Sequence, residues 1–333
     1  MLNDIFPYYR IDYLQALKSL TDVRDVSPTH PRIMRYVNDS VDCLRFFPTL
    51  KIAEDWFIVR MRKGWHKDLE EEYSYPHDTE VVQLGRANLP KNPMFYGSIT
   101  SVSNNILESS RINAMEIADE AFENGHCRMR VTMSGWRIKS PLLVYPVVHP
   151  FMYSDLSEEN NQLVSQLKIG YEKHREEWIK EKTIDNLTLQ VNDEIYKFWS
   201  EEFQKHITDG NYHKTAYFTK IMLNEQHQWS KIRKNYDGIL YPSHKAHGRI
   251  GCNIAIRPDV VDAQLELMVK GRGTLYVNKQ STKTRYLLQP ESYKVNFNGE
   301  WIEENILEQT PYNEEKLCND LCIKSVEELE WIE

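Results

Sequence analysis

The sequence predicts an α+β fold built from short, mostly antiparallel strands and separate helices. Apolar residues alternate along 128–148, a period of two that is typical of strands, whereas 155–190 and 193–224 repeat apolar residues at helical spacing. Strand and helix patterns do not alternate one by one along the chain, so a parallel sheet built from β–α–β units is not predicted.

The predicted elements can be followed in chain order. Residues 11–50 repeat apolar side chains at threes and fours, which indicates helix. Residues 64–84 are acidic and rich in turn formers, which predicts a surface loop. Strands are predicted at 56–62, 94–96, 128–148, 238–241, 253–256, 265–269, 273–277 and 284–288. Further helices are predicted at 113–122, 155–190 and 193–224, with an acidic helix in 300–333.

Composition limits the classes of protein to which the chain can belong. Its 333 residues, 41% hydrophobic and 27% charged, are enough for a packed core in one large domain or two ordinary ones. The net charge of −8 argues against a general nucleic-acid binder, which needs a basic surface to displace counterions from phosphates. No membrane span or secretory signal is predicted. The five cysteines are scattered and odd in number, so reduced thiols in a cytoplasmic protein are the simplest interpretation.

Five short blocks combine residue types that suit the chemistry of a dinucleotide. In chain order they are Gly85–Asn88 (GRAN), Tyr96–Ser98 (YGS), Glu108, Asp237–Ser243 (DGILYPS) and Gly251–Asn253 (GCN). An arginine, an aromatic face and a carboxylate are the groups needed to hold a dinucleotide and to stabilise a cationic sugar transition state. The glycine and asparagine of the first block also predict a tight turn.

Together these blocks resemble the RES-domain family, whose arginine, tyrosine, glutamate and distant serine occur here in the same order over roughly residues 55–275. The resemblance implies an ADP-ribosyltransferase-like fold of two small, mostly antiparallel sheets forming a cleft, with extra helices at the N-terminus and in the middle. It divides the chain into an N-terminal helical extension at 1–54, an NAD-binding catalytic domain at 55–278 and a C-terminal extension at 279–333.

The same resemblance implies a function. It implies an enzyme that cleaves the bond between nicotinamide and ribose in NAD, by hydrolysis or phosphorolysis, with NAD as substrate and no further cofactor. It also implies a cytoplasmic bacterial toxin whose partner is a helix-turn-helix antitoxin, and it leaves homo-oligomerisation open. Two alternatives stay open as well: transfer of ADP-ribose to a protein, and a non-catalytic interaction module.

In this interpretation three residues are catalytic. Glu108 would stabilise the positive charge that develops at the ribose, as carboxylates do in glycoside hydrolysis. Arg86 would bind the diphosphate or hold the nicotinamide end, and Tyr96 would stack on the nicotinamide or cover the ribose. Each also has an ordinary structural interpretation: an acid near a helix start, a surface arginine and a half-buried strand tyrosine.

Five further residues are predicted to contact NAD: Arg60, Arg62, Asn88, Ser243 and Asn253. Ser243 would hydrogen-bond the nicotinamide ribose or its neighbouring phosphate. Arg60 and Arg62 share one face of a strand, and the sequence does not decide which of them reaches a phosphate. No metal site is predicted, because His244 and His247 have no acidic or cysteine partner at metal spacing.

Overall fold

The computed structural model describes most of the strands and the central helices. The described residues are 34–35, 37–38, 40–41, 49–54, 56–64, 73–101, 113–114, 126–149, 162–180, 186–205, 212–223, 235–243, 252–279, 284–304 and 313–332. They form an α+β protein, as the sequence predicts, with five helices and one mixed, mostly antiparallel sheet of eleven strands. The expectation of two small sheets is therefore wrong.

The strands, numbered along the chain, are β1 (Leu50–Ile52), β2 (Trp56–Lys63), β3 (Phe95–Ser101), β4 (His126–Ile138), β5 (Leu142–Pro146), β6 (Gly238–Pro242), β7 (Cys252–Ile256), β8 (Leu265–Lys279), β9 (Thr284–Phe297), β10 (Glu300–Glu304) and β11 (Glu330–Ile332). The sequence interpretation divided β8 in two, because Gly271 and Gly273 interrupt its pattern. A Cβ atom on Gly273 would lie 2.5 Å from the Gln289 carbonyl oxygen, so this glycine permits close strand approach rather than a turn.

The helices are α1 (Gln162–Lys180), α2 (Asn186–Gln204), α3 (His213–Leu223), α4 (Pro258–Gln264) and α5 (Glu314–Leu321). The helical character expected in the middle of the chain is confirmed, but the bounds differ, because α2 crosses the expected boundary near 190 and the expected helix 193–224 is divided between α2 and α3. Of the helix expected at 113–122, only 113 and 114 lie within the described residues, and these are helical. The acidic helix expected in 300–333 is confirmed only at α5, since strands precede and follow it. Of the predicted N-terminal helix, the described residues between 34 and 41 are helical, and most of the rest lies outside the described residues. None of the helices described is long and apolar enough to cross a membrane.

The chain forms two compact units that interleave along the sequence. The first unit comprises residues 1–52, 76–94 and 142–258, and the second comprises 53–75, 95–141 and 259–333. Sequence order therefore does not separate the units, because each takes residues from three stretches of the chain.

The first unit contains four strands in the order β1-β5-β6-β7, together with α1 to α3. The neighbours β5 and β6 are parallel, and the three helices lie between them in the chain. Parallel neighbours need such a crossover, because a tight turn reverses the chain direction. The sequence interpretation, which found no β–α–β alternation, missed this crossover.

Helix α2 supplies the core of the first unit. Its predicted apolar face is confirmed, because Ile195, Trp199 and Phe203 are almost fully buried. The Trp199 ring lies 4.3 Å from the Phe218 ring of α3, and the Phe203 ring lies 5.5 Å from the Tyr241 ring of β6. These aromatic contacts fix the C-terminal end of α2 against α3 and β6.

The second unit contains seven strands, six in the order β3-β2-β4-β8-β9-β10 and a seventh, β11, parallel to β4. One sheet face carries a buried apolar cluster that includes Met61, Met129 and Leu275. On the opposite face, Tyr276 packs against buried side chains of the C-terminal segment, among them Leu321 of α5. The two faces of β8 therefore have different neighbours.

Candidate functional site

The predicted turn around Arg86 is present in the first unit. The Gly85 amide donates to the Asn88 carbonyl at 3.0 Å, and the Asn88 amide donates back to the Gly85 carbonyl at 3.4 Å. The Asn88 side-chain amide donates to the carbonyls of Gln83 at 2.8 Å and Leu89 at 3.0 Å. Asn88, predicted to contact NAD, is 6% exposed and holds the turn that presents Arg86.

The guanidinium of Arg86 is placed at the end of α2. Its Nη1 donates to the Phe203 carbonyl at 2.5 Å and to the Lys205 carbonyl at 3.0 Å. The guanidinium also lies 4.9 Å from the centre of the Tyr212 ring. The last carbonyls of a helix have no partner within the helix and carry partial negative charge, so a cation stabilises them. Arg86 therefore has a structural role at α2, and removal of its side chain would change stability as well as chemistry.

A buried carboxylate adds to the group at this helix end. Glu202, whose side chain is 5% exposed, accepts hydrogen bonds from Lys205 and, at 3.0 Å, from Lys214. With Arg86, the described group has three cations and one carboxylate, and is therefore net positive. The carbonyls at this C-terminal helix end carry partial negative charge, so the site suits a neutral acceptor such as the carboxamide oxygen of nicotinamide better than a phosphate.

Two other predicted residues lie near the same end of α2. Asn253 on β7 is opposite Tyr241 on β6, and directly opposed residues project from the same sheet face. Ser243 follows Tyr241 by two residues at the end of β6, and both Ser243 and Asn253 are buried. The Phe203 ring packs on the Tyr241 ring, and the Phe203 carbonyl accepts a hydrogen bond from Arg86. Phe203 thus connects the Arg86 guanidinium to the sheet face from which Asn253 projects, and Ser243 directly follows β6.

The predicted residues of the second unit form another group. Arg60 on β2 is 7% exposed, and its Nη1 donates to the Tyr96 carbonyl at 2.6 Å. Its guanidinium lies 5.3 Å from the centre of the Phe95 ring. Arg62 and the Tyr96 side chain are partly exposed. Glu108, predicted to be the catalytic carboxylate, lies outside the described residues.

A buried histidine stands among tyrosines beside α2, in the first unit. The His149 ring lies 5.4 Å from the Tyr196 ring and 5.8 Å from the Tyr171 ring, and the two tyrosines stack on each other. Burial, helped by Lys197, lowers the pKa of His149 from 6.5 to about 4. Tyr171 donates to Asp193, and burial, helped by Glu194, raises the pKa of the Asp193 carboxyl from 3.8 to about 6.

These two pKa shifts act on stability in opposite directions. As pH falls from 6.5 towards 4, the unfolded chain protonates His149 while the folded protein resists, so the free energy of unfolding decreases. As pH falls from 6 to 3.8, the folded protein protonates Asp193 before the unfolded chain does, so the free energy of unfolding increases. The two contributions oppose each other between about pH 4 and 6.

Single substitutions are expected to separate the two contributions. Relative to wild type, Asp193→Asn should lose stability as pH falls from 6 to 4, and His149→Phe should gain it, because each variant lacks one of the opposing protonations. Urea unfolding at several pH values measures both differences. Parallel pH profiles for all three proteins would contradict the assigned pKa shifts.

Sequence reasoning missed several residues around the predicted ones. Glu202 and Lys214 were interpreted only as parts of the predicted helix at 193–224, although they flank the helix end that Arg86 caps. Lys270 and Arg272 were not among the residues predicted to contact NAD. The sequence did contain an indication of their role. Lys270 and Arg272 are two residues apart on a strand and so share one face, as Arg60 and Arg62 do.

Comparison of the chain with protein-family models, with curated proteins and with solved structures finds no match in any of the three. The likeness to the RES-domain family therefore rests on the short sequence blocks. The described residues also contain no group of three or more histidine, cysteine, aspartate or glutamate side chains arranged to hold a metal ion.

Proposed function

We propose that this protein degrades NAD by cleaving the bond between nicotinamide and ribose, with water or phosphate as acceptor. The observation that carries the proposal is the link made by Phe203, which accepts a hydrogen bond from Arg86 and packs on Tyr241. Tyr241 is opposite Asn253 and lies two residues before Ser243. Ser243 and Asn253 belong to the successive paired strands β6 and β7 and the residues beside them, whereas Arg86 comes from a distant part of the chain. Their types suit a ribose hydroxyl and the carboxamide of nicotinamide.

The proposed reaction breaks the bond between the ribose C1 carbon and the pyridinium nitrogen. The bonding electrons pass to that nitrogen, so nicotinamide leaves as a neutral molecule and positive charge develops on the sugar. Glu108 would stabilise that charge, and Tyr96 would face the nicotinamide or the ribose. Attack by water releases ADP-ribose and a proton, whereas attack by phosphate gives a phosphorylated ADP-ribose.

The wider biological role belongs to the same proposal. An enzyme that consumes NAD without restraint would arrest growth, so we propose a toxin held in check by a protein partner, an antitoxin of the helix-turn-helix type. Transfer of ADP-ribose to a protein uses the same bond cleavage with a different acceptor. The products therefore distinguish the two activities.

Chromatography of NAD incubated with the purified protein tests the proposal. Wild type is expected to release nicotinamide, and dependence on added phosphate would identify phosphorolysis. Ser243→Ala is expected to slow release about fivefold, since one hydrogen bond to substrate contributes about 1 kcal/mol. Ser140→Ala is the matched control, because Ser140 is exposed and bonds only to Gln264 among the contacts described.

Each outcome of this experiment has a distinct meaning. Labelled ADP-ribose attached to a protein, without free product, would identify a transferase. Absence of both nicotinamide release and NAD binding in a folded protein would overturn the proposal. Arg86→Ala is a poor probe, because it also uncaps α2.

A further inference from the structure

Four cations lie on one face of three neighbouring strands in the second unit. Arg60 and Arg62 on β2 are opposite Ser134 and Thr132 on β4, and these are opposite Lys270 and Arg272 on β8. Directly opposed residues and residues two apart on a strand share a face, so all six side chains project together. Met61 and Met133, which alternate with them, belong to the apolar cluster on the other face.

The spacing of this cationic face follows from sheet geometry. Neighbouring strands lie about 4.8 Å apart, and residues two apart on one strand are separated by about 7 Å. The four cations therefore start from the corners of a rectangle of roughly 10 by 7 Å. A diphosphate is small enough to be reached from several corners at once, and its charge matches them.

Two of the four cations on the cationic face are buried, which distinguishes them from charged side chains on an open surface. Arg60 and Lys270 are each 7% exposed, so two of the four cations are held in place by their surroundings. The Lys270 amine lies 4.4 Å from the centre of the Trp301 ring and 6.0 Å from that of the Tyr73 ring. Arg62 and Arg272 are only partly buried, so the face is reached from their side.

Hydroxyl and carboxylate groups also lie on or near the cationic face. Thr132 donates to the Gly64 carbonyl at 2.6 Å, and Ser134 donates to the Tyr73 carbonyl at 3.3 Å, so both hydroxyl hydrogens are used within the protein. Glu291 accepts from Thr274 on β8, and Glu303 lies 4.0 Å from Lys294. Thr274 lies two residues beyond Arg272 on the same face, so the Glu291 carboxylate is close to this face and reduces the attraction that the four cations exert on an anion.

We propose that the cationic face binds the diphosphate of a nucleotide, with Lys270 and Arg272 as contacts in addition to Arg60 and Arg62. This inference rests on the proposed function for the identity of the nucleotide, but diphosphate binding can be tested without it. The chain as a whole is negative, with a net charge of −8, so the cations gathered here are not a consequence of composition. Fixed cations around a small anion give charge-assisted hydrogen bonds, and arginine adds a planar fork that matches phosphate.

Calorimetric titration of the full chain with inorganic pyrophosphate, and separately with ADP-ribose, tests the inference at matched ionic strength. Arg272→Gln and Arg62→Gln are each expected to raise the Kd for both ligands about tenfold, because one charge-assisted contact is lost. The matched control is Lys63→Gln, since Lys63 follows Arg62 on β2 but projects from the opposite face. Lys270→Met removes a buried cation, so its folding is checked by circular dichroism before titration.

The outcomes separate this inference from the proposed function. Weaker pyrophosphate binding in Arg272→Gln without any NAD cleavage by wild type would support the cationic face and count against the NAD-degrading activity. NAD cleavage with an unchanged KM in Arg272→Gln, and unchanged pyrophosphate binding, would overturn the inference and leave the activity standing. Equal weakening by Lys63→Gln would also overturn it, because general charge would then explain the binding.

Discussion

Replacement of Glu108 by glutamine is expected to slow nicotinamide release about a thousandfold. A carboxylate about 4 Å from the developing sugar cation, at an effective dielectric constant of about 20, stabilises it by roughly 4 kcal/mol. Each 1.36 kcal/mol or so corresponds to a factor of ten in rate, so one side chain accounts for about a thousandfold. Glutamine keeps the shape and removes the charge, so the loss should appear in kcat with little change in NAD binding. Quantification of nicotinamide under single-turnover conditions measures it.

The control for this experiment removes a carboxylate that has no expected role. Glu176 on α1 is exposed and lies 3.9 Å from Lys180 one helical turn away, a pair of the kind that contributes little to stability. Glu176→Gln should therefore cleave NAD at the wild-type rate. If Glu108→Gln did so too, the catalytic role of Glu108 would be abandoned.

Substitution of Gly238 by alanine is expected to destabilise the protein by about 3 kcal/mol, the upper part of the range for overpacked interiors. A Cβ atom at this position would lie 2.4 Å from the Ala255 carbonyl oxygen and 3.1 Å from the Ile256 Cα. Both are backbone atoms of the paired strand β7, so a side-chain rotation cannot relieve the clash. Urea unfolding measures the loss, and a stability equal to that of wild type would contradict the described β6–β7 register.

Gly170→Ala provides a matched comparison with the opposite expected sign. Gly170 lies within α1, and a Cβ atom there would meet nothing within 4 Å. Alanine in a helix interior is more favourable than glycine by about 0.5–1 kcal/mol, so this variant should be more stable than wild type. The same chemical change thus tests two environments, a closely paired strand and an open helix face.

These glycines also give the sequence blocks a structural explanation. Gly238 belongs to the DGILYPS block and Gly97 to the YGS block. A Cβ atom on Gly97 would lie 2.5 Å from the Ile58 Cγ2 and 2.9 Å from the Val59 carbonyl oxygen. Close approach between strands is therefore sufficient reason for both glycines, and neither needs a ligand to explain it. The polar residues of the blocks carry the functional proposal by themselves.

The sequence predicted local structure well wherever a short pattern carries the information. Alternation along 128–148 corresponds to β4 and β5, and the apolar face of α2 is buried as its spacing predicts. The turn at Gly85–Asn88 also follows from its own residues. These features depend on a few neighbouring side chains, and the period of two or 3.6 is set by the backbone geometry of each element.

The partners of each element could not be predicted in this way. β4 and β5 are neighbours in the chain, yet β4 pairs with β2 and β8 whereas β5 pairs with β1 and β6. Strand pairing depends on packing between segments that are distant in sequence, and a single chain gives little information about such contacts. The expectation of two small sheets was wrong for this reason.

The candidate site divides along the same line. The sequence by itself determined which residue types are present and in what order, including Arg86, Tyr96, Glu108 and Ser243. Tertiary structure alone decided that Arg86 caps α2 and that Arg60 bonds to the Tyr96 carbonyl. It also aligned Lys270 and Arg272 with the arginines of β2 across β4. The chemistry of each side chain is given by the sequence alone. The local density of charge and the contacts between side chains depend on strands from separate parts of the chain pairing in a fixed register.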